Sequence, residues 1–235
     1  HFINGKWLPG TGTSFYSLNP ATEEKLWQGT AAEDHLVDEA LQAARQALPE
    51  WSLQDLAVRI RYLEAFREKL TQEKEAFARS ISLENGKPLW DARTEVAAMI
   101  GKVGISIEAY QLRCPEMIKD HPPIKTFTRH RPHGVMAVLG PFNFPGHIPT
   151  GHIVPALLAG NTIVFKPSEL TPLVAEMTVK LWESVGLPPG VLNLVQGGRK
   201  TGAYLAQHQD IDGLLFTGSW KTGQALAEIM AKTPH

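Results

Sequence analysis

Four short and largely apolar runs in the second half of the chain constrain the fold more than any other feature. They cover residues 135–139, 162–165, 191–195 and 214–216, and stretches long enough for a helix separate them. Apolar runs of this length without alternation are typical of parallel strands buried on both faces. Their alternation with helices predicts βαβ units and a doubly wound, Rossmann-like parallel α/β sheet.

The first half of the chain predicts strands and helices in front of that sheet. Asn4-Gly5 is a strong hairpin dipeptide. Apolar residues at helical spacing then predict a first helix that Pro49 ends, and Thr71 is a candidate cap for a later helix running to Leu83. Gly86-Lys87-Pro88 is a helix stop signal, and a further helix is expected over about residues 90–112.

The middle of the chain predicts a linker followed by a strand. Cys114-Pro115 and His121-Pro122-Pro123 interrupt regular structure, and the alternation over residues 125–131 predicts a strand with one face in water. We therefore expect N-terminal strands and helices over 1–113, a linker with a strand over 114–132 and the doubly wound core over 133–235.

Charge and composition exclude several classes of function. The chain of 235 residues has 23 Lys and Arg against 24 Asp and Glu, in no basic block, so neither nucleic acid nor an anionic membrane is an expected partner. The segment 132–165 carries no charged side chain, but its prolines and glycines cut it into pieces too short to span a membrane, which predicts a buried interior.

The single cysteine, Cys114, excludes an intramolecular disulfide and a cysteine zinc site and suits a reducing cytoplasm. It lies between Arg113 and Pro115 with no activating histidine context, so we expect it to be non-catalytic. Histidines at 130, 133, 147 and 152 lack the spacing of a helical metal pair, and we expect no metal site.

The segment after the first apolar run contains a candidate catalytic amide. Pro141-Phe142-Asn143-Phe144-Pro145 places two prolines around Asn143, which would hold its side chain nearly fixed. A fixed N–H donor suits the stabilisation of a developing oxyanion. The alternative is a turn in which Asn143 bonds its own backbone.

The segment after the second run, Lys166-Pro167-Ser168-Glu169, places an ammonium and a carboxylate at a strand end. These groups could hydrogen-bond the vicinal hydroxyls of a ribose, and the carboxylate would repel a 2′-phosphate, which favours NAD over NADP. The alternative is a solvated Lys166–Glu169 pair with Ser168 or Thr171 as a helix cap.

The segment after the fourth run could bind a pyrophosphate. Thr217-Gly218-Ser219 leads through Thr222 and Gly223 into an alanine-rich helix, and glycines with helix-start N–H groups suit an anion. The pattern matches neither the usual Rossmann fingerprint nor a P-loop. The glycines from Gly197 to Gly202, after the third run, are also compatible with a simple turn.

Together these motifs resemble the aldehyde dehydrogenase superfamily over essentially the whole chain. The segments that carry the resemblance are Asn4-Gly5, Asn19-Pro20, Glu84-Asn85-Gly86-Lys87-Pro88, Pro141-Phe142-Asn143-Phe144-Pro145, Lys166-Pro167-Ser168-Glu169, Gly186-Leu187-Pro188-Pro189-Gly190-Val191-Leu192-Asn193 and Phe216-Thr217-Gly218-Ser219.

The resemblance implies a role for each matching position. Asn143 matches the oxyanion-hole amide that steadies a thiohemiacetal before hydride leaves to NAD. Residues 114–132 match an arm that joins an oligomerisation sheet, and residues 133–235 match the nucleotide-binding core. The implied cofactor-binding residues are Phe142, Lys166, Ser168, Glu169, Gly202, Phe216, Thr217, Gly218, Ser219, Thr222 and Gly223.

The chain departs from the family pattern at its end. The family's general-base Glu and nucleophilic Cys lie beyond the pyrophosphate loop, and His235 precedes both. The resemblance thus implies a parent enzyme that oxidises a semialdehyde, or another aldehyde, with NAD, and a fragment that is inactive and prone to aggregate alone. A non-catalytic dinucleotide-binding module is the alternative from a different class.

Overall fold

A computed structural model describes residues 1–232 of the chain. The helices are α1 Asp34–Leu53, α2 Leu56–Gln72, α3 Lys74–Asn85, α4 Leu89–Arg113, α5 His147–Leu158, α6 Pro172–Ser184, α7 Arg199–Gln207 and α8 Trp220–Lys232. The strands are β1 Phe2–Ile3, β2 Lys6–Trp7, β3 Ser14–Leu18, β4 Lys25–Thr30, β5 Met117–His121, β6 Ile124–Thr128, β7 Val135–Leu139, β8 Thr162–Lys166, β9 Leu192–Leu194 and β10 Gly213–Phe216. Residues 233–235, the end of the expected nucleotide-binding core, lie outside the described part.

The main sheet has the strand order β10-β7-β8-β9-β1-β2. The first four strands are parallel, which confirms the interpretation of the four apolar runs. The N-terminal hairpin extends the sheet, with β1 antiparallel to β9. Asn4 and Gly5 form its turn with positive φ angles of 49° and 76°, which an Asn-Gly pair adopts readily.

Helices cover both faces of the sheet, as a doubly wound fold requires. Successive residues of β7 alternate between two cores: Met136 and Val138 pack with helices α2 to α6, whereas Val135 and Ala137 pack with α1, α7 and α8. A strand whose alternate residues both face apolar layers favours apolar side chains on both faces, which explains the apolar runs.

Two expected helix boundaries are wrong. Helix α1 continues through Pro49 to Leu53, because Trp51 is buried to 1% exposure and anchors the last turn in the core. Thr71 lies inside α2, where its hydroxyl donates to the carbonyl of Arg67, so it is not the cap of α3. Gly86 does end α3 in the left-handed conformation, with φ 78°.

The expected linker contains a strand. Strands β5 and β6 form an antiparallel hairpin that pairs Met117 with Thr128, and every residue of both strands is exposed. The second strand ends at Thr128 rather than at Arg131, and both of its faces, not one, are in water. This two-stranded sheet is separate from the main one.

The apolar segment 132–165 becomes β7, α5 and β8. No helix within residues 1–232 combines the length and apolarity needed to cross a bilayer.

Candidate functional site

Three loops that carry site candidates begin side by side at one edge of the main sheet. Leu139, the last residue of β7, is in register with Lys166 at the end of β8 and with Phe216 at the end of β10. The carboxyl ends of parallel strands are where open α/β sheets bind ligands. The fold therefore gathers at one edge the segments that begin after Leu139, at Lys166 and at Phe216.

Asn143 is exposed in the loop between β7 and α5. Its side-chain amide makes no hydrogen bond to any residue in the range 1–232, so the alternative in which it bonds its own backbone is not observed. Its backbone carbonyl accepts a hydrogen bond of 3.4 Å from the Asn85 amide. Phe142 beside it is 51% exposed. The amide is thus free to donate to a ligand.

Lys166 is buried, with 8% of the residue exposed, and is not half of a solvated pair. Its Nζ donates to the Gly197 carbonyl at 2.9 Å and lies 3.8 Å from a carboxylate oxygen of Glu169. Burial lowers the pKa of Lys166, and the Glu169 charge opposes that shift. A Cβ atom on Gly202 would lie 3.4 Å from Cδ and Cε of Lys166, so Gly202 lies directly against the lysine stem.

The turn after β9 does more than connect two elements, because its Gly197 carbonyl holds the Lys166 ammonium. Gly197 has φ 156°, and a Cβ atom there would overlap the Thr201 side chain. Ser168 makes a local turn by accepting the N–H of Leu170 at 3.2 Å. Glu169 has 49% of its side chain exposed and is available to a ligand.

Ser219 caps the last described helix. Its Oγ accepts the N–H of Thr222 at 3.2 Å and donates to, or accepts from, the Thr222 hydroxyl at 2.9 Å. The Phe216 ring packs close by: a Cβ atom on Gly218 would lie 2.6 Å from its Cζ, and one on Gly223 would lie 3.4 Å from its Cε1. The exposed start of α8 offers N–H groups of the kind that bind phosphate oxygens.

A histidine joins this edge without any sign in the sequence pattern. His152 on α5 has its Nε2 3.1 Å from the hydroxyl of Thr217. Burial, and secondarily the charge of Lys102, lower the pKa of His152, and the same two causes act on His147. His152 is therefore disposed to be neutral, as a hydrogen-bonding partner of Thr217.

Two buried carboxylates also support the site loops. Glu84 accepts the N–H groups of Leu173 and Val174 at the start of α6 and the hydroxyl of Ser17. Burial raises the pKa of Glu84, and those hydrogen bonds oppose the shift. Glu95 does the equivalent for α5 through the N–H groups of Gly146 and His147. Glu95 has the same helical spacing as the buried apolar residues of α4, and a charged residue at such a position could have indicated a buried carboxylate from the sequence.

No group of three or more potential metal ligands occurs within residues 1–232. Cys114 lies at the C-terminal end of α4. It lines a surface cleft of about 490 Å³ together with Lys102, Arg113, His130, Arg131 and His133.

A parallel sheet whose carboxyl edge gathers a buried lysine, a carboxylate, a free amide and an open helix N-terminus defines a dinucleotide-binding α/β domain. Within that class, the chain belongs to the aldehyde dehydrogenase family, whose model matches residues 7–234.

The chain is similar to curated relatives and solved structures of about twice its length. It is 57% identical to an N-succinylglutamate 5-semialdehyde dehydrogenase of Hahella chejuensis, over 96% of this chain and 46% of that protein. The protein of the same name from Burkholderia cenocepacia is 56% identical, over 100% of this chain and 48% of its own length.

Among solved structures, HpcC from Thermus thermophilus superposes with a TM-score of 0.93 at 32% identity, over 99% of this chain and 46% of that one. The NAD+ complex of an aldehyde dehydrogenase from Bacillus cereus superposes with a TM-score of 0.92 at 32% identity, over 98% of this chain and 48% of that one. The expected family and fold are thereby confirmed.

Proposed function

We propose that this chain is the NAD-binding part of a longer dehydrogenase that oxidises N-succinylglutamate 5-semialdehyde to N-succinylglutamate. The alignment of Leu139, Lys166 and Phe216 at one sheet edge carries the proposal, because it gathers three of the four segments that contain candidate cofactor-binding residues. The substrate rests on the names of relatives that are 56–57% identical. We also propose that the parent protein acts in arginine catabolism, and the names of these relatives support this proposal.

The chemistry of the donor set fits NAD. Lys166 and Glu169 would hold the hydroxyls of the adenosine ribose, and Lys166 is already oriented by the Gly197 carbonyl. Gly218, Ser219 and the open start of α8 would receive the pyrophosphate, with Phe216, Thr217, Thr222 and Gly223 shaping that loop. Ser168 and Gly202 shape the lysine's surroundings, and Phe142 would lie near the phosphates.

Asn143 would donate its amide hydrogen to the substrate oxygen as negative charge develops there. Its freedom from other hydrogen bonds supports this role, because no existing contact must be broken. Bound NAD supplies the hydride acceptor. The nucleophile and the general base of the reaction would come from the part of the parent protein that this chain does not span.

Three parts of the proposal concern the whole protein. We propose the domain division 1–113, 114–132 and 133–235, cytoplasmic residence, and a homo-oligomer assembled through the arm. The exposed apolar side chains of the β5–β6 hairpin support the last point; they are Met117, Ile118, Ile124 and Phe127. An exposed two-stranded ribbon is marginally stable without a partner surface.

The test is steady-state NAD reduction by the full-length protein with a panel of aldehydes, after its intact mass has been measured. We expect a mass near twice that of this chain, and the highest kcat/KM with succinylglutamate semialdehyde. Efficient oxidation of simple aldehydes without that substrate would contradict the assignment and favour another member of the family. A protein that ends at His235 and binds NAD without reducing it would favour a non-catalytic binding module.

A further inference from the structure

Glu95 is a charged residue in the middle of the protein core. It lies on the buried face of α4 with Ala92, Val96 and Met99, and its side chain is 0% exposed. A buried carboxylate is costly unless a cation and hydrogen-bond donors surround it. A carboxylate buried at this position therefore calls for a specific structural or functional role.

The partners of Glu95 are Lys87 and two residues at the end of the loop that carries Asn143. One carboxylate oxygen, Oε2, accepts a hydrogen bond of 2.6 Å from Nζ of Lys87. The other accepts the N–H groups of Gly146 and His147 at 2.9 and 3.1 Å, and these are the first residues of α5. Helix α5 has no side-chain cap at its own N-cap residue Gly146, so Glu95 takes that function from another helix.

Lys87 also contacts this loop, at the residue that follows Asn143. Its Nζ lies 3.9 Å from the centroid of the Phe144 ring, a cation–π arrangement. Asn85, whose side chain accepts the Lys87 N–H at 3.0 Å, donates to the Asn143 carbonyl. The Asn143 carbonyl, the Phe144 ring and the start of α5 are thus all connected to the buried Lys87–Glu95 ion pair.

The fit of the loop leaves little room for adjustment. A Cβ atom on Gly146 would lie 2.5 Å from the Met99 sulfur and 3.3 Å from Ile81 Cδ1, so the loop backbone rests directly on α3 and α4. A change in the length or charge at position 95 is therefore transmitted to the loop rather than absorbed by empty space.

We propose that Glu95 and Lys87 are a positioning pair that fixes the Asn143 amide for oxyanion stabilisation; this inference rests on the proposed function. The pair acts on the catalytic step through the loop. It does not touch the ribose site at Lys166 and Glu169, so its effect is on turnover and not on NAD binding.

The test compares Glu95→Gln and Lys87→Met in the full-length protein with a matched control, Arg59→Met. Arg59 is also buried and charged, and its Nε donates at 2.9 Å to the Leu158 carbonyl at the opposite end of α5. Glutamine keeps the shape of Glu95 but loses the charge and half of its acceptors. We expect both pair variants to lower kcat by about 10- to 100-fold, as small misplacements of catalytic groups do, and the Kd for NAD to stay within about twofold. Arg59→Met should leave kcat within about threefold, because its contact lies away from the loop.

A second measurement separates positioning from general damage. If Glu95 acts through Asn143, adding Glu95→Gln to Asn143→Ala should lower kcat by less than about threefold, because effects within one functional unit are not additive. A full 10-fold loss on that background would overturn the proposal. An unchanged kcat in Glu95→Gln, or an equal loss in Arg59→Met, would also overturn it.

Amide hydrogen exchange keeps the two proposals distinguishable. If the wild-type protein reduces no NAD with any aldehyde, the proposed function fails. The positioning pair is then decided by exchange at Gly146 and His147. Faster exchange there in Glu95→Gln but not in Arg59→Met supports the pair, and equal protection in all three proteins overturns it.

Discussion

Replacing Lys166 by Met tests the ribose site without removing the lysine stem. The methionine fills a similar apolar volume next to Gly202 but carries no ammonium. Two effects on folding oppose each other: the Gly197 carbonyl loses its donor, while a desolvated cation, whose pKa burial lowers, disappears. An unsatisfied buried carbonyl costs about 1–3 kcal/mol. Because removal of the buried charge offsets part of that cost, we expect unfolding free energy to fall by less than about 2 kcal/mol.

The effect on NAD affinity should be larger than the effect on stability. A hydrogen bond from a charged group contributes about 1.5–3 kcal/mol. Loss of one such bond to a ribose hydroxyl therefore weakens the Kd for NAD by about 10- to 150-fold.

Isothermal titration of NAD into the full-length protein at pH 7.5 measures this directly. Lys180→Met is the matched control, because Lys180 lies on the exposed side of α6, away from the candidate ribose site, and contacts Glu176 and the Trp7 ring. We expect its affinity to equal that of the wild type. A folded Lys166→Met protein that binds NAD as tightly as the wild type would refute the assignment of Lys166 to the ribose site.

Four further predictions concern other parts of the site and the arm. Asn143→Ala should lower kcat by about 100- to 1,000-fold in NAD-reduction kinetics while the Kd for NAD stays unchanged, and an unaltered kcat would contradict the oxyanion role. Glu169→Gln should raise the affinity for NADP relative to NAD by about 2- to 5-fold in paired titrations, and the gain is modest because the carboxylate is half exposed. An unchanged ratio of the two affinities would count against Glu169 as the group that selects NAD. The pKa of His152 is lowered in the folded state, so the unfolded chain binds more protons between that pKa and about 6.5, and stability rises with pH through this window. His152→Gln should therefore reduce the rise in melting temperature between pH 5 and pH 8. Parallel curves of melting temperature against pH for the variant and the wild type would disprove this. Phe127→Lys, on the exposed hairpin, should change unfolding free energy by less than about 0.5 kcal/mol yet lower the oligomer mass in light scattering, and an intact oligomer would argue against the arm.

The parallel strands could be predicted from the sequence because burial on both faces favours apolar residues at most of their positions. β7 and β8 are buried at every residue, and their boundaries agree with the apolar runs to within one residue. The hairpin β5–β6 could not be predicted fully by the same logic. Both of its faces are exposed, so no periodicity separates its first strand from a linker.

Helix ends that depend on tertiary contacts also escaped the sequence pattern. Pro49 removes a backbone donor and normally ends a helix, but burial of Trp51 outweighs that local cost. The same applies to the support of the site. Glu95 and Gly146 are far apart in the chain, and local spacing does not reveal a carboxylate on one helix that caps another.

The candidate residues themselves were accessible because each follows an apolar run. Lys166 could be predicted as a site residue in this way, but its burial could not, because its partner is the carbonyl of Gly197 in the turn between β9 and α7. Residues positioned by strand ends are therefore visible in the sequence, whereas the contacts that orient them are long-range.

A crystal structure of the full-length protein with NAD tests the central claim most directly. We expect the adenosine ribose hydroxyls within hydrogen-bond distance of Lys166 Nζ and the Glu169 carboxylate, with the pyrophosphate at Ser219 and the start of α8. A dinucleotide bound elsewhere, with Lys166 still facing only the Gly197 carbonyl, would contradict the account.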